Sequence, residues 1–153
     1  MQELDTYPRR IQIIPTIKRN YCCVMCFQPH SEHKRGGEID FTIFEKLNHV
    51  FPFVHQVYFT GGEPLMYSEM PRALEFLGRH GCEISMSTNG AMLTGKRLEM
   101  AFRYMDTVKI SLDAATPETY ARIRKNGNFA KVLTNIGRLA NLKKKFNRPH
   151  PHT

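Results

Sequence analysis

Apolar and polar positions along the chain switch repeatedly between a period of two and a period near 3.6, which predicts alternating strands and helices. Ile11, Ile13 and Ile14 mark a first strand over Arg10–Thr16. A loop follows, and then a helix from Asp40, a plausible N-cap, with Phe41, Phe44 and Leu47 on one face. A second strand spans His55–Thr60 around Val57, Tyr58 and Phe59. The next helix starts near Ser68, carries Met70, Leu74 and Leu77, and stops at Gly81. Strand three is Glu83–Ser87, helix three starts at Thr94 with Leu98, Ala101 and Phe102, and strand four is Thr107–Leu112. A short helix opens at Thr116 and Pro117, a cap followed by proline at the first helical position. A longer one starts near Asn128 with Phe129, Leu133, Ile136 and Ala140 in helical spacing. The tail from Asn147 holds two prolines and is expected to fray.

Such alternation implies parallel strands with crossover helices, in a barrel or an open sheet. Polar residues gather at the C-terminal end of each strand: Thr16, then Thr60 to Glu63, then Ser87 to Gly90, then Ser111 and Asp113. Active sites of parallel α/β proteins lie at that edge. Four polar strand ends in phase predict one shared site.

Composition narrows the class. With 41% apolar and 24% charged residues in 153, the chain suits one globular domain. Its formal charge of +8 is spread out, apart from Lys143, Lys144 and Lys145, and is read as a basic surface. No basic stretch is interleaved with aromatics, so a nucleic-acid partner is not expected. Neither a secretory h-region nor an apolar run of about 20 residues is present, so no membrane role is expected and the cytoplasm is the default compartment. Three of the four cysteines, Cys22, Cys23 and Cys26, crowd into five positions, which favours metal or redox chemistry over structural disulfides in a reducing compartment. Cys82 stands alone and suits a buried thiol.

At this point the sequence resembles a known family. Tyr58-Phe59-Thr60-Gly61-Gly62-Glu63-Pro64-Leu65 is similar to the GGEP motif of radical S-adenosylmethionine (SAM) enzymes. Ser87-Thr88-Asn89-Gly90 resembles their third-strand motif, and Ile110 to Asp113 with Thr116 to Tyr120, Ile123 and Arg124 their fourth strand and helix. The matches run in order from about residue 10 to 142, and their wording is closest to the branch that often carries a C-terminal auxiliary-cluster (SPASM-type) domain. The resemblance implies part of a TIM-like barrel, with about four of the usual six βα units, over residues 1–153. It implies a [4Fe-4S] cluster that reductively cleaves SAM to a 5′-deoxyadenosyl radical acting on an organic or peptide substrate, with a flavodoxin- or ferredoxin-like electron donor.

Carried over by position, Cys23 and Cys26 match the last two cluster cysteines of CxxxCxxC, and Asn20 the residue after the first. The first position is residue 19, here arginine, which is cationic and no ordinary iron ligand. Cys22 is the nearest substitute, but it directly precedes Cys23; Cys82 belongs about 15 Å away at the opposite rim. The expected order is an impaired cluster, then a remodelled one using Cys22, then a normal one. Gly61 and Gly62 let backbone approach SAM, while Glu63, beside Pro64, either accepts from its amine or orients the loop. Ser87, Asn89, Ser111 and Asp113 offer polar groups to SAM, Arg124 could pair with its carboxylate, and Met25 could lie beside adenine. Each also has a bland alternative: a tight turn, an Asn-Gly turn, a solvated helix arginine, a core methionine. Two rival readings stay open: a degenerate or truncated non-catalytic fragment, and a small zinc site at Cys22–Cys26.

Overall fold

The computed structural model describes residues 6–27 and 37–147. Nearly all of the tail expected to fray lies outside them. In chain order the elements are β1 (Arg10–Ile13), β2 (Cys22–Cys23), α1 (Thr42–Lys46), β3 (Gln56–Phe59), α2 (Met70–Gly78), β4 (Glu83–Thr88), α3 (Gly95–Tyr104), β5 (Thr107–Ile110), α4 (Pro117–Ile123), β6 (Arg124–Lys125) and α5 (Phe129–Lys145).

Four strands form a parallel sheet in the order β1-β3-β4-β5. That order never reverses, so the sheet is wound in one direction. Helices then collect on one face, as in a barrel, rather than on both faces as in a doubly wound sheet. The register places Ile13 beside Phe59, Phe59 beside Met86, and Met86 beside Val108. This row faces the helices; Phe59, Met86 and Val108 are fully buried with Ala73, Leu74 and Leu77 of α2, Ala101 of α3 and Leu139 of α5. Each large apolar side chain so buried stabilises the fold by about 1.5–3 kcal/mol. The opposite face is polar, with Gln12, Tyr58, Ser85 and Thr107 side by side.

Local chemistry sets the helix starts. Thr116 Oγ1 accepts from the Thr119 N–H at 3.3 Å and Asn128 Oδ1 from the Lys131 N–H at 2.8 Å, as N-caps should. Thr94 caps α3 by its backbone position alone. Asp40 accepts from the Thr42 N–H, two residues ahead of the start of α1 and one ahead of its N-cap position, Phe41.

Three expectations shift. The first strand ends at Ile13, not Thr16. Pro15 has no N–H to donate to the ladder, and its carbonyl instead accepts from Ile39 while Thr16 bridges Glu38. The buried face of α5 is Val132, Asn135 and Leu139; Leu133 and Ala140 face outward. The polar Asn135 conceals that face, because its amide donates to the carbonyls of Gly90 and Ala91 and so tolerates burial. Finally, β2 and β6 form a two-residue antiparallel ladder that no periodicity announces. Among the described residues, no helix is long and apolar enough to cross a membrane.

Candidate functional site

Three of the four polar strand ends converge as expected; Thr16 is buried outside the cleft, its hydroxyl donating to the Gly37 carbonyl at 3.2 Å. A cleft of about 250 Å³ at the C-terminal edge of the sheet is lined by Thr60, Gly61, Gly62, Glu63, Ser87, Thr88, Asn89 and Ser111 on one side. Arg19, Tyr21, Cys23, Met25, Cys26, Phe27 and Arg124 line the other. Three sequence candidates lie outside it. Pro64 begins a buried 3-10 turn, Pro64–Met66. Asp113 sits behind Arg124, with which it forms an ion pair. Cys22 points away, because neighbours on a strand face opposite sides; its Sγ accepts from Asn126 Nδ2 at 3.5 Å. The remodelled arrangement in which Cys22 joins Cys23 and Cys26 is therefore not the one adopted.

The strand side is held by Glu63, which is 1% exposed. Its Oε1 accepts from Thr88 Oγ1 at 2.6 Å and from the Leu65 N–H at 3.2 Å, and its Oε2 accepts from the Asn89 N–H at 2.9 Å. Both oxygens are thus engaged within the protein. Burial pushes the carboxyl above its ordinary value, against the opposing pull of these three donors. Asn89 continues the network through Nδ2 to Asn20 Oδ1 at 2.7 Å.

The glycines act first on the chain itself. A Cβ on Gly62 would lie 2.2 Å from the Lys18 carbonyl oxygen, and one on Gly61, whose φ is +117°, 2.5 Å from Ile14 Cγ2. The close approach allows Gly62 N–H to donate to Thr16 O and Glu63 N–H to Lys18 O at 2.7 Å. These bonds fix the residues just before Arg19.

The cysteine side depends on distant partners. Cys23 pairs with Arg124 in the β2–β6 ladder, across 101 positions. Arg124 Nη1 donates to Cys23 Sγ at 3.3 Å, and Arg19 Nη1 donates to Cys26 Sγ at 2.9 Å. The Arg124 side chain is 13% exposed, and its Nε is buried without a partner among the described residues. Tyr21, which the sequence reading passed over, is buried edge-on against Tyr120 with ring centroids 6.4 Å apart. Its position between Asn20 and Cys22 was the available signal.

Two ligands can be tested against this donor set. Hydroxyl, amide and backbone groups at three strand ends, with an orphaned guanidinium N–H, fit a ligand bearing a ribose and a carboxylate, as SAM does. A [4Fe-4S] cube held at three corners needs three thiolates. Cys23 and Cys26 supply two, and a guanidinium occupies the third position. Among the described residues, no three His, Cys, Asp or Glu side chains gather as a metal site. The residues present do not fit the cube.

Comparison with known proteins gives a consistent picture. The family model described as the radical SAM superfamily matches residues 13–148. A GTP 3',8-cyclase of Hydrogenovibrio crunogenus is 28% identical over 146 residues, covering 89% of this chain and 44% of that protein. A probable GTP 3',8-cyclase of Methanothermobacter thermautotrophicus is 30% identical over 76% of this chain and 39% of its own length. The chain thus spans under half the length of these relatives. Among solved structures, Streptococcus suis SuiB bound to S-adenosylmethionine superposes with a TM-score of 0.76 at 16% identity, over 89% of this chain and 32% of SuiB. Native anSMEcpe with bound AdoMet gives 0.69 at 20% identity, over 92% of this chain and 42% of that one. These likenesses establish the fold.

Proposed function

The chain belongs to the radical SAM superfamily, and from that footing we propose that residues 1–153 are the SAM-binding part of a larger core, with radical generation impaired at position 19. Members of the superfamily use a [4Fe-4S] cluster and SAM, draw an electron from a reductant and act on a further substrate. The observation that carries the proposal is the single cleft in which three strand ends and the half-buried Arg124 meet two thiols and the Arg19 guanidinium. The strand ends and Arg124 bind SAM; Arg19 stands where the third thiolate belongs. The parent reaction is radical chemistry on an organic or peptide substrate in the cytoplasm, supplied by a flavodoxin- or ferredoxin-like donor.

Equilibrium dialysis with labelled SAM, beside iron analysis after anaerobic reconstitution, tests this. Wild type is expected to retain SAM and hold little iron. Arg124→Met should weaken SAM at least about tenfold by removing a charge-assisted contact, and Arg19→Cys should raise iron per chain. A full, stable cluster in wild type, or SAM binding indifferent to Arg124, overturns the proposal.

A nucleotide is the substrate class favoured by the relatives named GTP 3',8-cyclase. The polar sheet face supports it, since Arg10 and Lys109 flank Gln12, Gln56, Tyr58, Ser85 and Thr107 in one depression, with Lys109 Nζ 5.3 Å from the Tyr58 ring centroid. Lys109→Met should weaken GTP binding without affecting SAM retention.

A further inference from the structure

We propose that the Cys23–Cys26 turn is a site for one soft monovalent cation, Cu(I), held by two thiolates with the Met25 thioether alongside. This goes beyond the SAM-binding reading and rests on one part of it, that no iron-sulfur cluster occupies the two thiols. The Cys26 N–H donates to the Cys23 carbonyl at 3.1 Å, a four-residue turn that holds the two α-carbons within about 7 Å. Cys23, Met25 and Cys26 all line the same cleft, whereas Cys22 does not. All three are free of disulfide or competing acidic ligands: the cysteines are reduced, and among the described residues no third Cys, His, Asp or Glu completes a metal cluster.

The donor set selects the metal. Zinc prefers four ligands in a tetrahedron and a cube needs more thiolates than two. Thiolate and thioether sulfur are the ligands that favour Cu(I). Charge points the same way. Binding two thiols to Cu⁺ releases two protons and leaves a bis-thiolate complex of net charge −1. Guanidinium donors already sit on both sulfurs, Arg19 at 2.9 Å from Cys26 and Arg124 at 3.3 Å from Cys23. They offset that negative charge, while they oppose a multivalent cation.

The test is an anaerobic titration of the whole chain with Cu(I), buffered by a chromogenic chelator and a non-thiol reductant, and a parallel one with Zn(II). Wild type should take one equivalent of Cu(I) and lose Zn(II) to a weak chelator. Cys23→Ser and Cys26→Ser should each weaken Cu(I) by at least about a hundredfold, Met25→Leu by about tenfold or less, and Cys22→Ser by less than about threefold, following thiolate before thioether in softness. Arg19→Cys should switch the site to retained Zn(II) by adding a third thiolate, a gain that stays readable if a serine variant fails to fold. Cu(I) uptake that survives Cys26→Ser, uptake abolished by Cys22→Ser, or Zn(II) held by wild type as firmly as Cu(I) overturns the proposal. SAM dialysis reads none of these outcomes, so the two proposals fail separately.

Discussion

The two walls of the cleft are built on different principles. On the strand wall, Glu63 is buried and holds three donors, and Gly62 and Glu63 bond back to the loop after β1. Its geometry is over-determined by a four-stranded sheet. On the cysteine wall, a two-residue ladder is all the sheet there is, and Val24, Met25 and Phe27 are exposed at 55%, 53% and 94%. The first wall is complete without a ligand. The second offers sulfur and cationic groups, the kind of surface that a bound group would finish. A difference of this sort predicts large stability effects on one side and small ones on the other.

The largest effect is expected at Glu63. Glu63→Ala strands three buried donors, each unsatisfied group costing about 1–3 kcal/mol, so a loss of about 3 kcal/mol or more should appear in urea denaturation. The pH dependence has a defined sign. Burial raises the carboxyl above its ordinary value of 4.5 in the folded chain. A raised folded value means that its contribution is fully present below 4.5 and is lost as pH rises through the folded value. Glu63→Gln does not titrate, so its cost should be greatest near pH 4.5 and shrink toward neutrality. A cost that grows with pH would show that the three donors outweigh burial, and that the wall is built around a carboxylate.

Gly62→Ala should come next. The added Cβ meets a backbone oxygen at 2.2 Å, which no side-chain rotation relieves. Overpacking of this kind costs about 1–3 kcal/mol. The shift must fall on Thr16 to Lys18, so Arg19 should move too, and its contact with Cys26 should weaken. A neutral Gly62→Ala would mean that the two walls are mechanically independent.

Sequence reading recovered the first wall better than the second, for a physical reason. Strand ends and helix caps are written in short segments: Thr116 and Asn128 cap the helices they precede, and Gly61 to Glu63 follow β3 directly. Glu63 was legible as a site residue, but its role as a clamp needed Thr88 and Asn89 in space. The cysteine wall joins residues 101 positions apart, through a ladder too short to show a period. Arg124 was found by motif, while its contact with Cys23 and the outward turn of Cys22 were not. The buried face of α5 was misread because a polar residue, Asn135, occupies its centre.

The smallest effect, and the finest probe of the second wall, is at Asn126. It follows β6 with φ +67°, the left-handed region, while Gly127 closes the turn by donating to the Arg124 carbonyl at 2.7 Å. Its side chain gives only a 3.5 Å contact to Cys22 Sγ, a weak acceptor. Two contributions are therefore separable. Asn126→Gly removes the weak contact and leaves the backbone unstrained, so stability should change by less than about 0.5 kcal/mol. Asn126→Ala removes the same contact and keeps a Cβ in the left-handed region without the short polar side chain by which asparagine tolerates it, at a cost of about 1–2 kcal/mol. The gap between the two variants measures what backbone conformation contributes to holding β6 against β2. It should carry over to the site, since β6 begins with Arg124: the alanine variant should weaken whatever binds between Arg124 and Cys23, and the glycine variant should not. Equal stabilities for Gly and Ala would mean that the turn relaxes freely, and that the packing of Tyr21 on Tyr120, rather than the turn, positions the cysteine wall.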